Sequence, residues 1–285
     1  MIAAGPVEST IDTDCGSLHV RTWGPAATAE TVVLLHGGPG MSGRYMEPVV
    51  PFVENGRRRI VSYDQRGAGE SRCDSKDPGD YGLEAHAADL SQVIDAFAVG
   101  PVHLLGHSWG GIVAMDYAAR HGNRIASMMA VGSAPPSRAD LEVSIASMGA
   151  RVQALQQRGL IPVDLPDDAT PTDNLRAIVP MYFWDPTVAM PPDAVAALEV
   201  TPGVGGLVWQ ALGEFDLTDR LAAYRGRALL IFGEADAIGL PASEATRAAL
   251  ANSTLRYEVF DRCGHFPWFE APDRFRSVLE EFLGG

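Results

Sequence analysis

The chain is short of cysteine, of basic residues and of long apolar runs, and each shortage closes off a class of protein. Its three cysteines, Cys15, Cys73 and Cys263, form no CxxC pair and leave one over in any pairing scheme. That argues against a disulfide framework and for a reducing compartment. Lysine and arginine total 22 against 36 aspartates and glutamates, a formal net charge of −14. A nucleic-acid binder needs a basic face to displace counterions, and an anionic membrane surface would repel this chain, so neither partner is expected. The longest apolar runs, such as Val32–Leu35 and Ala228–Phe232, are strand-sized, far below the ~20 residues of a membrane span. The opening MIAAGPVEST has neither a basic n-region nor a sustained apolar h-region, so no signal peptide is expected and the protein reads as cytoplasmic.

What is present is an ordinary globular balance, 46% hydrophobic and 20% charged over 285 residues, enough for one large or two modest domains. Short β-rich runs punctuated by glycine and proline alternate with longer helical patterns, the mark of a mostly parallel sheet. Val7–Asp14 and Ser17–Trp23 read as a hairpin turning at Cys15-Gly16. Further strands are expected at Thr31–His36, Arg59–Asp64, Val102–Gly106, Ile125–Val131, Ala228–Gly233 and Thr254–Phe260, eight in all. Leu83, Ala87, Leu90, Ile94 and Phe97 form a 3.6-period stripe that predicts a helix over Leu83–Val99. Trp109–His121 is a second helix, stopped by Gly122, and Ala242–Leu250 and Pro272–Leu283 complete the last crossovers.

Between about 135 and 222 the alternation stops. That stretch holds 10 of the 20 prolines, with helical pieces at Leu141–Gln157 and Pro192–Glu199, and 12 acidic residues against five arginines. It reads as a helical cap inserted into an α/β core made of residues 1–134 and 223–285. The cap's net charge of −7 is half that of the chain.

Gly106-His107-Ser108-Trp109-Gly110 matches G-x-S-x-G, follows an apolar strand and opens a helix, which is where a nucleophile elbow must lie. A serine hydroxyl needs a base to take its proton, and on such a scaffold the chain order is Ser, acid, His. Only His121 and His265 follow Ser108. His121 ends the helix that the elbow opens, some 18 Å away at 1.5 Å per residue, which leaves His265. The acid should sit just past the preceding strand, and Asp236 is chosen over Glu234 and Asp261. It would hold the imidazole tautomer and stabilise the imidazolium. In His36-Gly37-Gly38-Pro39-Gly40 a backbone amide, that of Gly38, would join the amide of Trp109 as an oxyanion hole. The same loop hides a competing pattern. Gly38-Pro39-Gly40-Met41-Ser42-Gly43 satisfies GxGxxG with Asp64 following, the literal dinucleotide fingerprint. Pro48 and Pro51 spoil the helix it requires, and it leaves the Ser-Asp-His set unexplained.

With HGGPG at 36–40, DQRGAGES at 64–71, GHSWGG at 106–111, GEAD at 233–236 and CGHFPWFE at 263–270, the chain resembles the α/β-hydrolase superfamily. Within it, the chain is most similar to the proline iminopeptidases. The resemblance covers the core and implies an eight-stranded, mostly parallel sheet under a helical cap. It also implies release of N-terminal residues from small peptides or amides through an acyl-enzyme, with no metal or cofactor. Ser108, Asp236, His265, Gly38 and Trp109 fall on its triad and oxyanion positions, while Asp64 and Arg66 would brace the neighbouring loop. In that family cap glutamates grip the substrate's free ammonium, often in a Trp-Glu-Gly segment. The nearest match here is Trp184-Asp185-Pro186, so Asp185, with Glu199 and Glu214, is the expected set of substrate carboxylates. A carboxylesterase or lactonase on the same triad stays open as the alternative. The substrate is expected to be a small molecule or short peptide; sequence leaves the oligomeric state open.

Overall fold

The structure is a computed structural model that describes residues 5–26 and 30–284; the leader reading at MIAAGPVEST therefore falls partly outside the described residues, at 1–4. Among the described residues nine strands form one sheet: β1 (Val7–Thr13), β2 (Gly16–Trp23), β3 (Glu30–Leu35), β4 (Arg58–Tyr63), β5 (Arg72–Cys73), β6 (Val102–His107), β7 (Ser127–Val131), β8 (Arg227–Gly233) and β9 (Thr254–Phe260). Eight run in the order β1-β2-β4-β3-β6-β7-β8-β9, and the two-residue β5 pairs with β2 beside them. The eight strands read from sequence are all present. The ninth is too short for any periodicity to reveal. Among the strands of the described residues, every pairing from β4 across to β9 is parallel, and the β1–β2 hairpin, β2–β4 and β2–β5 are antiparallel.

A parallel sheet must be covered on both faces, and the alternation along β3 shows how. Val33 and Leu35 enter one core cluster with the helix α2 (Trp109–His121), while Val32 and Leu34 enter another with Phe275, Leu279 and Phe282. Those last three lie on the C-terminal helix, Pro272–Gly284. The helix α1 (Leu83–Phe97) buries Ala87, Leu90 and Ile94 of the predicted stripe. Gly122 does not end α2 in a left-handed cap. Its φ is −56° and the chain continues into a 3₁₀ turn; a Cβ there would lie 3.1 Å from the Tyr224 ring, so packing is what the glycine serves.

Between β7 and β8 the described chain is helical, with no strand. Its longest helices are α3 (Arg138–Gln157), α4 (Pro171–Ile178) and α5 (Val204–Leu212). The piece expected at Pro192–Glu199 is shorter, Pro192–Ala196, and α4 and α5 had no counterpart in the sequence reading. Two backbone bonds, from the amide of Ser42 to Glu199 and from that of Thr201 to Gly40, tie this insert to the loop after β3. Among the described residues no helix is long and apolar enough to cross a membrane.

Buried ions lock the loops at the carboxyl ends of the strands. Asp64 is fully buried and accepts from Arg21 Nη2 at 2.8 Å, the Gly43 amide at 2.6 Å and the Glu70 amide at 2.9 Å. This carboxylate is fully engaged, and the chain after Gly43 is a short 3₁₀ helix, so the dinucleotide pattern at 38–43 has neither its helix nor its free acid. Arg66 forms a two-pronged bond to Asp89, at 2.8 and 2.7 Å, and donates to two backbone carbonyls. Both residues brace the DQRGAGES loop.

Burial pushes the Asp64 carboxyl up, but the hydrogen bonds and charge of Arg21 outweigh it and hold the group below its ordinary range. A depressed native pKa contributes stability above the unfolded value and loses it as pH falls through the native one. Asp64→Asn leaves the buried Arg21 charge with only the half-buried Glu47, 3.6 Å away, as its carboxylate partner and should cost about 3–5 kcal/mol at pH 7. Urea midpoints of wild type and variant should converge as the pH drops below about 4; a gap that is the same at pH 3 and pH 7 would refute this assignment.

Candidate active site

At the head of β6 the chain makes a turn that only particular residues permit. Ser108 has φ 55° and ψ −121°, a left-handed conformation that costs a non-glycine residue roughly 1–3 kcal/mol. The glycines on either side explain how it is accommodated. A Cβ on Gly106 would lie 2.2 Å from the Gly110 carbonyl oxygen, and one on Gly110 would lie 2.0 Å from that of Leu35. Neither position admits a side chain, so β3, β6 and α2 meet backbone to backbone. The serine amide donates to the Val131 carbonyl at 3.1 Å, which fixes the elbow to the neighbouring strand.

His265 and Asp236 arrive from the loops after β9 and β8. Nδ1 of His265 lies 2.9 Å from one Asp236 oxygen and 3.1 Å from the other, and both residues are buried. Since a carboxylate only accepts, Nδ1 carries the proton and Nε2 is left as the basic nitrogen. The two rival acids are engaged elsewhere: Glu234 accepts from the Arg262 amide and Asp261 pairs with Arg274. Gly132, at φ 49°, makes room for the pair, because a Cβ there would lie 2.8 Å from both Asp236 Oδ2 and His265 Nδ1.

The loop after β3 is held by side chains that sequence reasoning passed over. The Gly37 amide donates to the Tyr45 hydroxyl at 2.6 Å, and Tyr45 reaches His107 Nδ1 at 2.8 Å. Gln65 donates from its amide to His36 Nε2 and from its side chain to the His36 carbonyl, while its oxygen accepts from the Trp109 indole at 2.8 Å. Among the described residues no acceptor engages the amides of Gly38 or Trp109.

Ser108 and His265 line one cavity of about 200 Å³, together with Gly37, Gly38 and Tyr45. Pro39 and His107 also border it, and the rest of the wall is apolar or aromatic and comes largely from the insert: Leu175, Val179, Tyr182, Leu198 and Val200, with Met41 and Phe266. None of the three expected cap carboxylates is in that wall. Asp185 accepts from the Thr187 amide and hydroxyl, and it borders a different, more open hollow with Arg262 and Glu270. Glu199 and Glu214 are exposed, although Leu198 and Val200 on either side of Glu199 face the cavity. Spacing after a tryptophan does not fix which way an acid points when the segment is an irregular turn.

A protein-family model for the α/β-hydrolase fold matches residues 30–272. The chain belongs to the α/β-hydrolase family. It is 25% identical over 276 residues to the proline iminopeptidase of Lactobacillus helveticus, covering 93% of each chain. Among solved structures it is similar to the proline iminopeptidase of Mycobacterium smegmatis, with TM-score 0.74, 24% identity and coverage of 98% of each chain. It is also similar to a carboxylesterase from Bacillus subtilis, with TM-score 0.72, 18% identity and coverage of 99% of this chain and 93% of the other. Those two likenesses show the fold.

In this hydrolase the insert is joined to the loop carrying His265. The His265 amide donates to the Tyr182 carbonyl at 2.7 Å, and the Tyr182 ring stacks on the imidazole with centroids 5.0 Å apart. Glu270 accepts from the Trp184 amide on one side and the Gly264 amide on the other, each at 2.7 Å. Burial raises the Glu270 carboxyl against those two bonds. Glu270 and Gln65 lie inside the runs CGHFPWFE and DQRGAGES, so a signal for them was present; Tyr45 stands in no such run.

Gly132→Ala tests the geometry of the Asp236–His265 pair. The added methyl meets both side chains at a positive φ, and displacement of a reacting group by ~1 Å costs about 10²-fold. Ester hydrolysis should fall by that order while the circular dichroism spectrum stays native. Full activity in this variant would mean that the pair does not act in turnover.

Proposed function

We propose that Ser108, His265 and Asp236 act as nucleophile, base and orienting acid of a serine hydrolase that works through an acyl-enzyme. The insert, about 135–222, would serve as a cap over the core of residues 1–134 and 223–285. One observation carries the reading: a strained serine elbow opens into the same cavity as a histidine whose far nitrogen is fixed by a buried carboxylate. Ser108 Oγ attacks the substrate carbonyl carbon as its proton passes to His265 Nε2. Asp236 holds the resulting imidazolium without taking up the proton. Negative charge on the former carbonyl oxygen is met by the Gly38 and Trp109 amides. The leaving group departs with the proton from His265. Water, deprotonated by the same nitrogen, then attacks the acyl carbon and frees Ser108.

The cavity supports an uncharged, short acyl group as the favoured substrate portion. The cavity, about 200 Å³, compares with the roughly 150 Å³ that takes up a benzene-sized ring, a size suited to a small acyl group. Its wall carries no carboxylate, and an unpaired ammonium buried there would forfeit several kcal/mol of hydration. Small esters or amides without a free amine therefore fit best. The named activity of the iminopeptidase relatives favours a second reading, an aminopeptidase acting on small peptides or amides, in which a cap carboxylate would have to reach the cavity.

Two measurements test these readings. Ser108→Ala should lower kcat by at least ~10³, and a fluorophosphonate should label the wild type at Ser108 but not the variant; labelling that persists refutes the nucleophile. Cyclopentanecarbonyl and prolyl esters of one alcohol share shape and leaving group and differ in charge. The cyclopentanecarbonyl ester should have the higher kcat/KM by at least ~10-fold. A preference for the prolyl ester would establish the aminopeptidase reading instead.

A further inference from the structure

We propose that Tyr45 and His107 are positioning residues that hold the oxyanion loop in register with the loop carrying the base; this rests on the serine-hydrolase reading above. Three hydrogen bonds run in one line through the site: Gly37 amide to Tyr45 hydroxyl at 2.6 Å, Tyr45 hydroxyl to His107 Nδ1 at 2.8 Å, and His107 Nε2 to the His265 carbonyl at 2.9 Å. The ends of the line are the neighbour of Gly38 and the base itself. Its middle, His107, is the neighbour of Ser108.

Every proton in this line is assigned by the acceptor at its end. The His265 carbonyl can only accept, so His107 Nε2 carries the hydrogen. Nδ1 of the same neutral ring then presents a lone pair, and Tyr45 must donate to it. The Tyr45 oxygen is thereby free to accept from Gly37. Protonating His107 would put a second hydrogen where the Tyr45 hydrogen points. Its complete burial independently pushes the imidazole well below its ordinary range, so the neutral state is the one the surroundings favour. Tyr45 is 3% exposed and His107 2% exposed, and in such surroundings each bond of the line is strong and its loss costly.

The line matters because the oxyanion donors are backbone atoms and cannot be steered by a rotamer. Gly37 and Gly38 lie in a loop without regular structure, and the bond from the Gly37 amide to Tyr45 is the one that ties this loop, through His107, to the residue that carries the base. A Cβ on Gly37 would lie 2.8 Å from the Tyr45 oxygen and 2.9 Å from the Ser108 Cβ, which shows how tightly the three elements meet. Tyr45→Phe keeps the ring and removes the hydroxyl, leaving the Gly37 amide and His107 Nδ1 buried and unpaired.

A packing role and a positioning role predict different losses. A short-chain alkylboronic acid mimics the tetrahedral state: Ser108 Oγ adds to boron, its proton passes to His265, and a boronate oxygen occupies the oxyanion site. For Tyr45→Phe on a short ester, kcat should fall about 10- to 100-fold and the boronic acid Ki should rise by the same factor, with KM within about threefold of wild type. His107→Gln should do the same, and the double variant should be no worse than the poorer single one, because the line acts as a unit. A lowered melting temperature with kcat and Ki unchanged in either single variant would make these residues packing only and overturn the proposal. So would losses that multiply in the double variant. A wild type that is neither labelled at Ser108 nor inhibited by the boronic acid would overturn the serine-hydrolase reading and this one with it. A wild type that passes both tests beside unaffected variants would overturn this one alone.

Discussion

The site depends on how closely two backbones approach at the head of β6. With glycine at 106 and 110 the first turn of α2 lies directly against the end of β3, and that contact sets the distance between the Ser108 elbow and the amides after β3. Any Cβ at either place would wedge the strand end away from the helix. The strained φ of Ser108 follows from the same closeness, since a relaxed backbone would carry the serine away from the cavity. Stability spent on that strain is recovered from the sheet around it, whose central strands β3, β6, β7 and β8 are buried almost throughout.

Around the elbow, polar side chains fix loops that have no ladder to hold them. Asp64 gathers an arginine and two amides, Gln65 ties His36 to Trp109, and Arg66 is clamped by Asp89. Three consecutive residues thus organise three different sets of neighbours. Each is buried, so each bond is strong and its removal expensive. The result is a set of donors and acceptors pre-set before any substrate arrives, which is the condition for electrostatic stabilisation of a transition state.

The legible part of the sequence was the part governed by chain order and local pattern. Strand alternation located eight strands, and the order Ser, acid, His selected three residues that do converge in space. The insert was less readable. Its helix α5 begins at Gly203, at φ 85°, and contains Gly205 and Gly206, so propensity argued against a helix that tertiary packing enforces. The direction of Asp185, Glu199 and Glu214 was not readable either, because irregular turns impose no face. His107 was quoted as the variable residue of G-x-S-x-G, yet its partner Tyr45 stands 62 residues earlier, and no periodicity links positions that far apart.

The cavity is divided between core and insert. Ser108 and His265 are supplied by the turn after β6 and the loop after β9, while Leu175, Val179, Leu198 and Val200 are supplied by the insert. The insert is anchored to the core by apolar side chains such as Phe183, Val204 and Val208 packed into the core clusters, and by main-chain groups, the carbonyls of Tyr182 and Glu199 and the amides of Trp184 and Thr201. Main-chain anchors survive side-chain replacement. Substitutions in the cavity wall that keep those main-chain bonds can therefore reshape the cavity while the Ser108 elbow, set by glycines at 106 and 110, keeps its geometry.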